Sequence, residues 1–339
     1  MIRVFATANY DFIGLRRTAY VLSAALIVPG LLLMLARGLN YSIEFTGGTL
    51  VQVTLRAGID AGQVRQAVTA GGLASAEIQN FGSAREFVIR ARLGLAGPAT
   101  EQEAQRTAEQ VRAALAQSFG DDAFRVERVE AVGPKVGGEL RQKALIAILL
   151  SFLAALVYLA FRFEWRFGVA AVLATGHDIL ATIAFTRYLD LEVSLVVVSA
   201  ILTVIGYSLN DTIVIFDRVR ENLHKYKRDD FTGILNRSVN ETLPRTVLTG
   251  GATLLALLAL LFLAGEVIRP FAWVMLFGVV VGTFSSIYIA SPVLLAIEKR
   301  WPGHEARGVK ARVVAAGHGT SITPPPPEAG AARSRIPTP

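Results

Sequence analysis

Six long apolar runs constrain this chain more than any other feature. They cover residues 18–36, 144–161, 167–186, 193–216, 246–265 and 271–297. The first is 19 residues without a charge, and a helix rising about 1.5 Å per residue crosses a bilayer in roughly 20 residues. Backbone N–H and C=O groups find no water inside lipid, so each run must pair its own backbone as a helix. The expected frame is therefore a membrane all-α six-helix bundle. Composition agrees, with 53% of the 339 residues hydrophobic and only 18% charged, where soluble domains carry about 25% charge. A signal peptide would have an apolar core of about 7–15 residues before a small-residue cleavage site. The first run is longer and ends in Leu35-Ala36-Arg37, so it reads as an uncleaved span.

Residues 37–143 have a different character. Val51, Val53 and Leu55 alternate with Gln52, Thr54 and Arg56, and Phe87 and Ile89 alternate with Glu86, Val88 and Arg90, a strand pattern. Val64, Ala67, Val68 and Gly71 recur at helical spacing, as do Ala104, Ala108, Val111, Leu115 and Phe119. A last strand covers about 124–130. The expected order is strand pair, helix, strand pair, helix, strand: a small α+β, ferredoxin-like domain between spans one and two. Gly133-Pro134 and Gly137-Gly138 punctuate the return to the membrane and suggest a hinge.

Lys and Arg fix the expected orientation. The link 218–245 holds Arg218, Arg220, Lys225, Lys227, Arg228, Arg237 and Arg245, and the turn 162–166 adds Arg162 and Arg166. The two opposite turns carry only Arg187 and Arg269. Both termini are thus expected in the cytoplasm, with segment 1–17 polar and the α+β domain outside. From residue 301 a tail follows, with Pro324 to Pro327 arguing disorder. The same asymmetry accounts for the net charge of +7 without nucleic acid. The absence of cysteine excludes disulfides and thiolate chemistry, and no Gly-Lys dipeptide is present for a P-loop. No HExxH or similar metal pattern and no nucleophile–base set stands out, so neither a metal site nor an enzyme is expected.

Polar residues inside the spans carry the functional expectation, because a charge at mid-bilayer costs at least about 2.5–3.5 kcal/mol and marks ion or proton routes. Residues 206–222 read GYSLNDTIVIFDRVREN. Asp211 lies seven residues before Arg218, roughly 10 Å inside the interface, with Asn210 beside it and Tyr207 and Ser208 on its helix face. Span three contributes His177-Asp178, and span five opens with Arg245, Thr246, Thr249 and Thr253. Asp211, Arg245, His177 and Asp178 are the candidate proton-conducting groups, with Asn210, Tyr207 and Thr249 as supporting polar residues. Asp211 paired with Arg245 could equally be a simple helix-to-helix ion pair. In span six Gly278, Gly282, Ser286 and Ala290 recur at steps of four, a small-residue face for close helix packing.

Several stretches together resemble the SecF family of bacterial protein export: SIEFTGG at 42–48, VGPKVGGEL at 132–140, His177-Asp178, the 206–222 motif, residues 235–253 with Pro244-Arg245-Thr246, and GTFSSIYIA at 282–290. The resemblance covers about residues 5–300. It implies half of a resistance-nodulation-division arrangement, with a separate SecD subunit supplying six further helices. It also implies the SecYEG translocon, translocating preproteins and, as a further candidate, YajC as partners in the bacterial inner membrane. Protons are the implied coupling ion, with no other cofactor. Asp211 matches the family's intramembrane aspartate and Arg245 its basic residue on the facing helix. The Pro-rich tail departs from the family pattern. The competing expectation is half of a proton-coupled transporter of a small solute.

Overall fold

The computed structural model describes residues 8–74, 76–91, 101–265 and 267–302. Apart from Trp301 and Pro302, the Pro-rich tail lies outside them.

The chain enters the bundle through a short docked segment. Phe12 and Ile13 are buried in the main apolar core. Helix α1 (Arg16–Arg37) follows and contains Pro29. The Leu26 carbonyl, in the turn that this proline disturbs, accepts a hydrogen bond from the Tyr188 hydroxyl at 2.6 Å.

A one-turn helix α2 (Ile43–Thr46) precedes β1 (Gly48–Leu55), α3 (Ala61–Ala70), β2 (Glu77–Asn80), β3 (Glu86–Ala91), α4 (Glu101–Phe119) and β4 (Phe124–Val132). The sheet is antiparallel in the order β2-β3-β1-β4. Read as βαββαβ, this is the ferredoxin-like topology. Val51, Ile89 and Ile78 share one cross-strand row and are buried beneath Val64, Val68, Val111 and Leu115 of the two helices. The start of α3 is set by a capping box, in which the Gln63 amide donates to Asp60 Oδ1 at 2.8 Å and the Asp60 amide to Gln63 Oε1 at 3.0 Å.

Two expectations for this region are corrected. One strand, not a pair, precedes the first helix. Gly47 and Gly48 adopt φ of 74° and 144° and break the segment. Upstream of them Phe45 turns into the membrane core beside Val193 and Val197. The glycine-rich segment 133–138 is not a loop hinge either. Helix α5 (Pro134–Arg162) begins directly at Pro134, a residue suited to a first helical turn, so residues 134–143 belong to it. Gly137 serves close approach instead: a Cβ there would lie 3.0 Å from the Gly47 nitrogen and 3.1 Å from the Phe45 backbone.

Helices α6 (Trp165–Tyr188), α7 (Leu195–Lys225) and α8 (Phe231–Leu263) follow. The last span is α9 (Arg269–Ser285), a π-helical turn (Ser286–Ala290) and α10 (Ser291–Arg300). Six helical spans are long and apolar enough to cross a membrane, and the molecule is a multi-pass membrane protein. Helices α6, α7 and the last span form its buried centre, while α1, α5 and α8 present most of their surface outward. Gly278 and Gly282 seat α9 on α7, since added Cβ atoms would come within 2.2 Å of Val204 and 3.0 Å of Ser208. At one end, buried Arg166 bonds both Glu164 and Glu298, tying the start of α6 to α10.

Segment 1–17 was expected to be a polar extension, and its described part is instead clamped to α8. Asn240 accepts from the Tyr10 amide and donates to the Tyr10 carbonyl, both at 2.9 Å. Asn236 accepts from the Ile13 amide at 3.0 Å and donates to Asp11 at 2.8 Å. Two amides that read the backbone, with Phe12 and Ile13 buried between them, outweigh the polar character of the flanking residues.

Candidate functional site: two intramembrane carboxylates

Asp178 lies in the middle of α6 with 0% exposure. Its two oxygens are fully engaged. Oδ1 faces His177 Nδ1 at 2.9 Å. Oδ2 accepts from the Ser285 hydroxyl of α9 at 2.7 Å and from the Ser208 hydroxyl of α7. On the far side of the imidazole, His177 Nε2 lies 3.0 Å from Ser23 Oγ of α1. Four spans thus meet on one carboxylate. Serine, histidine and aspartate in this connectivity resemble a hydrolase series that the sequence alone did not suggest. Ser23 is, however, buried between α1 and α6. The chemistry this network fits is proton holding and relay within the bundle, because every member can donate or accept.

A second strand of hydroxyls runs from this hub toward Asp211. Ser286 Oγ donates to the Gly282 carbonyl at 2.9 Å and lies 2.8 Å from Thr212 Oγ1. Ser291 Oγ donates to the Ser286 carbonyl at 3.1 Å, five residues back. The π-helical turn is what places Ser285 and Ser286 side by side against α7, and such turns recur at functional sites.

Asp211 is treated differently. It is 6% exposed. One oxygen accepts from Thr246 Oγ1 of α8 at 3.2 Å. The other, Oδ2, is buried without a hydrogen-bond partner. The ion pair with Arg245 weighed from the sequence is not formed among the described residues. Arg245 is exposed, on the outward side of α8. Asn210 is also exposed, and the Thr249 hydroxyl donates to the Arg245 carbonyl at 2.8 Å on its own helix. Tyr207 reaches the same neighbourhood, its hydroxyl 3.8 Å from where a Gly250 Cβ would stand. Adjacent positions on a helix point about 100° apart, so Thr246 faces Asp211 while Arg245 cannot. Of the expected set, the fold unites His177 with Asp178 and leaves Asp211 with Thr246.

The end of α7 beyond the core is a solvated ion-pair belt: Arg162 holds both Asp217 oxygens at 2.7 Å, and Arg218 bonds Glu221 at 2.8 Å. Among the described residues no group of three or more His, Cys, Asp or Glu could hold a metal ion.

The family model for the protein export membrane protein SecD/SecF C-terminal region matches residues 111–300, and that for the SecD/SecF GG motif matches residues 32–58. The protein translocase subunit SecF of Gemmatimonas aurantiaca is 52% identical over 325 residues, covering 95% of this chain and 97% of that protein. The chain belongs to the SecF family. The SecF of Vibrio alginolyticus is 40% identical and covers 86% of this chain and 91% of its own. Among solved structures, SecDF from Thermus thermophilus, described as a translocon-associated membrane protein, superposes with a TM-score of 0.78 at 36% identity. It covers 87% of this chain, and this chain spans 39% of its length. A SecDF structure in a super-membrane-facing form gives a TM-score of 0.64 at 35% identity, covering 93% of this chain and 41% of that one. The GG motif is the Gly47-Gly48 pair, where the external domain leaves α2.

Proposed function

We propose that this chain is an accessory subunit of the bacterial Sec export machinery. It acts in the inner membrane with a SecD-type subunit and uses the proton-motive force to promote preprotein translocation. The observation that carries the proton role is the unpartnered buried oxygen of Asp211. A carboxylate held by one hydroxyl has a free valence for a proton, where a fully bonded one does not. His177 and Asp178 extend the route across the bundle, and Arg245 lies at its outer edge. One proton crossing about 100 mV supplies about 2.3 kcal/mol, enough to bias a two-state domain movement.

The partner is supported by one face of α7. Ser199, Thr203, Gly206 and Asn210 are exposed along it, and an amide such as Asn210 has nothing to bond in hydrocarbon. A second helical bundle covering that face removes the cost. SecDF chains of more than twice this length carry room for such a bundle. SecYEG and YajC are the further partners in this reading. Both termini are cytoplasmic and the ferredoxin-like domain is outside, following the Lys/Arg distribution. A small-solute half-transporter remains the weaker reading, because the family matches and relatives belong to protein export.

The test is preprotein movement into inverted membrane vesicles, with and without an uncoupler. Asp211→Asn is expected to assemble with the SecD-type subunit and lose the uncoupler-sensitive part of translocation. Asp211→Glu, which still titrates, is expected to keep some of it. Full uncoupler-sensitive stimulation in the Asn variant would falsify the proton role of Asp211.

A further inference from the structure

The external domain rests on the loop between α6 and α7 through a small, specific seam. The Ser42 amide donates to the Val193 carbonyl at 3.0 Å, and the Val193 amide donates to the Asn40 carbonyl at 2.7 Å. Tyr41 and Val193 form a parallel bridge, with the Arg141 guanidinium of α5 5.2 Å over the Tyr41 ring. Glu44 caps the start of α7, its Oε2 accepting from the Leu195 amide at 2.6 Å. A few ångströms of sheet then reach the same loop: Arg90 of β3, 7% exposed, bonds Glu192.

That last contact is poorly balanced. Arg90 carries two further buried donors, Nε and Nη1, without partners. Glu77 sits directly across the β2–β3 pair from Arg90, and Glu130 shares the same row through Leu50. Glu192 therefore faces one arginine and the carboxylates of Glu44, Glu77 and Glu130, with the Arg187–Asp190 pair at the base of its own loop. A cross-strand neighbour lies close enough to compete for a side chain. Arg90 has two places to go: down to Glu192 with the domain seated, or sideways along the sheet row with the domain free.

We propose that the Arg90–Glu192 contact is a proton-sensitive latch, closed when the outer face is acid and opening as that face becomes neutral.

The direction follows from linkage. Burial raises the Glu192 carboxyl above its ordinary range, Arg90 opposes this, and Glu44, Glu77 and Glu130 add to the rise. A glutamate freed from the seam returns to an ordinary value near 4.5. The seated form therefore holds its proton more tightly than the released form. Seating is strongest below the free value and weakens as the pH rises through the seated one. The protons that would drive translocation would then also reset the external domain onto the membrane. That last link rests on the topology proposed above; the latch itself does not.

The chain lacks cysteine, so a spin-label pair can be placed on the full-length protein with Arg112→Cys on α4 and Phe262→Cys at the end of α8. Both parent positions are exposed. In lipid nanodiscs both faces meet the same buffer, so the outcome does not depend on which way the protein is inserted. At about pH 5 a single distance is expected, and at about pH 8 a second, longer population. Glu192→Gln, which cannot ionise, should stay seated at both pH values. Glu77→Gln combined with Glu130→Gln, which removes repulsion from the seam, should move the midpoint to higher pH. An unchanged distance distribution in the parent, an unaltered transition in Glu192→Gln, or opening on acidification would each overturn the latch. Loss of seating at all pH values in Arg90→Gln, with Glu192→Gln unaffected, would support it.

Discussion

Asp178 and Asp211 are two aspartates in neighbouring helices of one bundle, and their surroundings treat them oppositely. Both are nearly inaccessible. Asp178 has hydroxyl and imidazole partners from α1, α6, α7 and α9, whereas Asp211 has one hydroxyl and an empty oxygen. Burial alone therefore does not identify the working group. A satisfied buried carboxylate organises its neighbours, and an unsatisfied one retains a capacity for exchange with something else. The same bundle contains a structural node and a chemical one about one helix apart.

The sharpest way to break this contrast is Asp178→Ala. It strands Ser208, Ser285 and His177 without their acceptor, and a loss of about 3–5 kcal/mol is expected. Thermal unfolding in detergent, with accumulation in membranes as a second reading, checks it. A variant as stable as the parent would remove Asp178 from its structural role. Next in size, Gly278→Ala should cost about 1–3 kcal/mol by overpacking, because its methyl would meet Val204 at 2.2 Å. The same substitution should loosen Asp178, since α9 carries Ser285. Faster hydrogen exchange around both α6 and α9 is the expected sign.

Asp211→Asn should change stability by less than about 1 kcal/mol, since only the Thr246 hydrogen bond is touched. If it unfolds the protein as Asp178→Ala does, the two sites are alike after all. The smallest expected effect comes from a carboxylate outside the membrane. The backbone amide of Gly14, and then the Asn236 side chain, hold the Asp11 carboxyl below its ordinary value of 3.8. Its contribution is present above that value and disappears as the pH falls through the lowered one. Amide exchange at Gly14 should rise on acidification, and Asp11→Ala should remove the pH dependence. This supplies the aqueous case against which both membrane carboxylates can be read.

The bundle and the βαββαβ domain were legible because their signals are periodic. Apolar runs of span length and the Val111–Leu115 stripe depend on spacing, and spacing is written in the chain. Orientation about each helix axis is not. Arg245 and Thr246 are equally plausible partners for Asp211 until α8 has a fixed rotation, and Asn210 looks as buried as Asp211. The Ser23 and Ser285 contacts were illegible for another reason: each is one hydroxyl on an apolar helix, with nothing in its neighbours to single it out. The docked Phe12-Ile13 segment is too short to register as an element, and it is read only through Asn236 and Asn240, more than two hundred residues away. Gly137 and Gly138 illustrate a true ambiguity, because glycine pairs signal both loops and close backbone approach.

The π-helical turn at Ser286–Ala290 also makes the last span intolerant of deletions. It holds one residue more than an α-helix would across the same rise. Losing a single residue there would restore regular winding and rotate everything downstream by about 100°. Glu298 would swing away from Arg166, leaving the start of α6 with a buried, half-bonded guanidinium. A frame-preserving deletion of one codon in this stretch should consequently be as damaging as removing the whole of α10. The same deletion a few residues after Arg300 should pass unnoticed by the bundle.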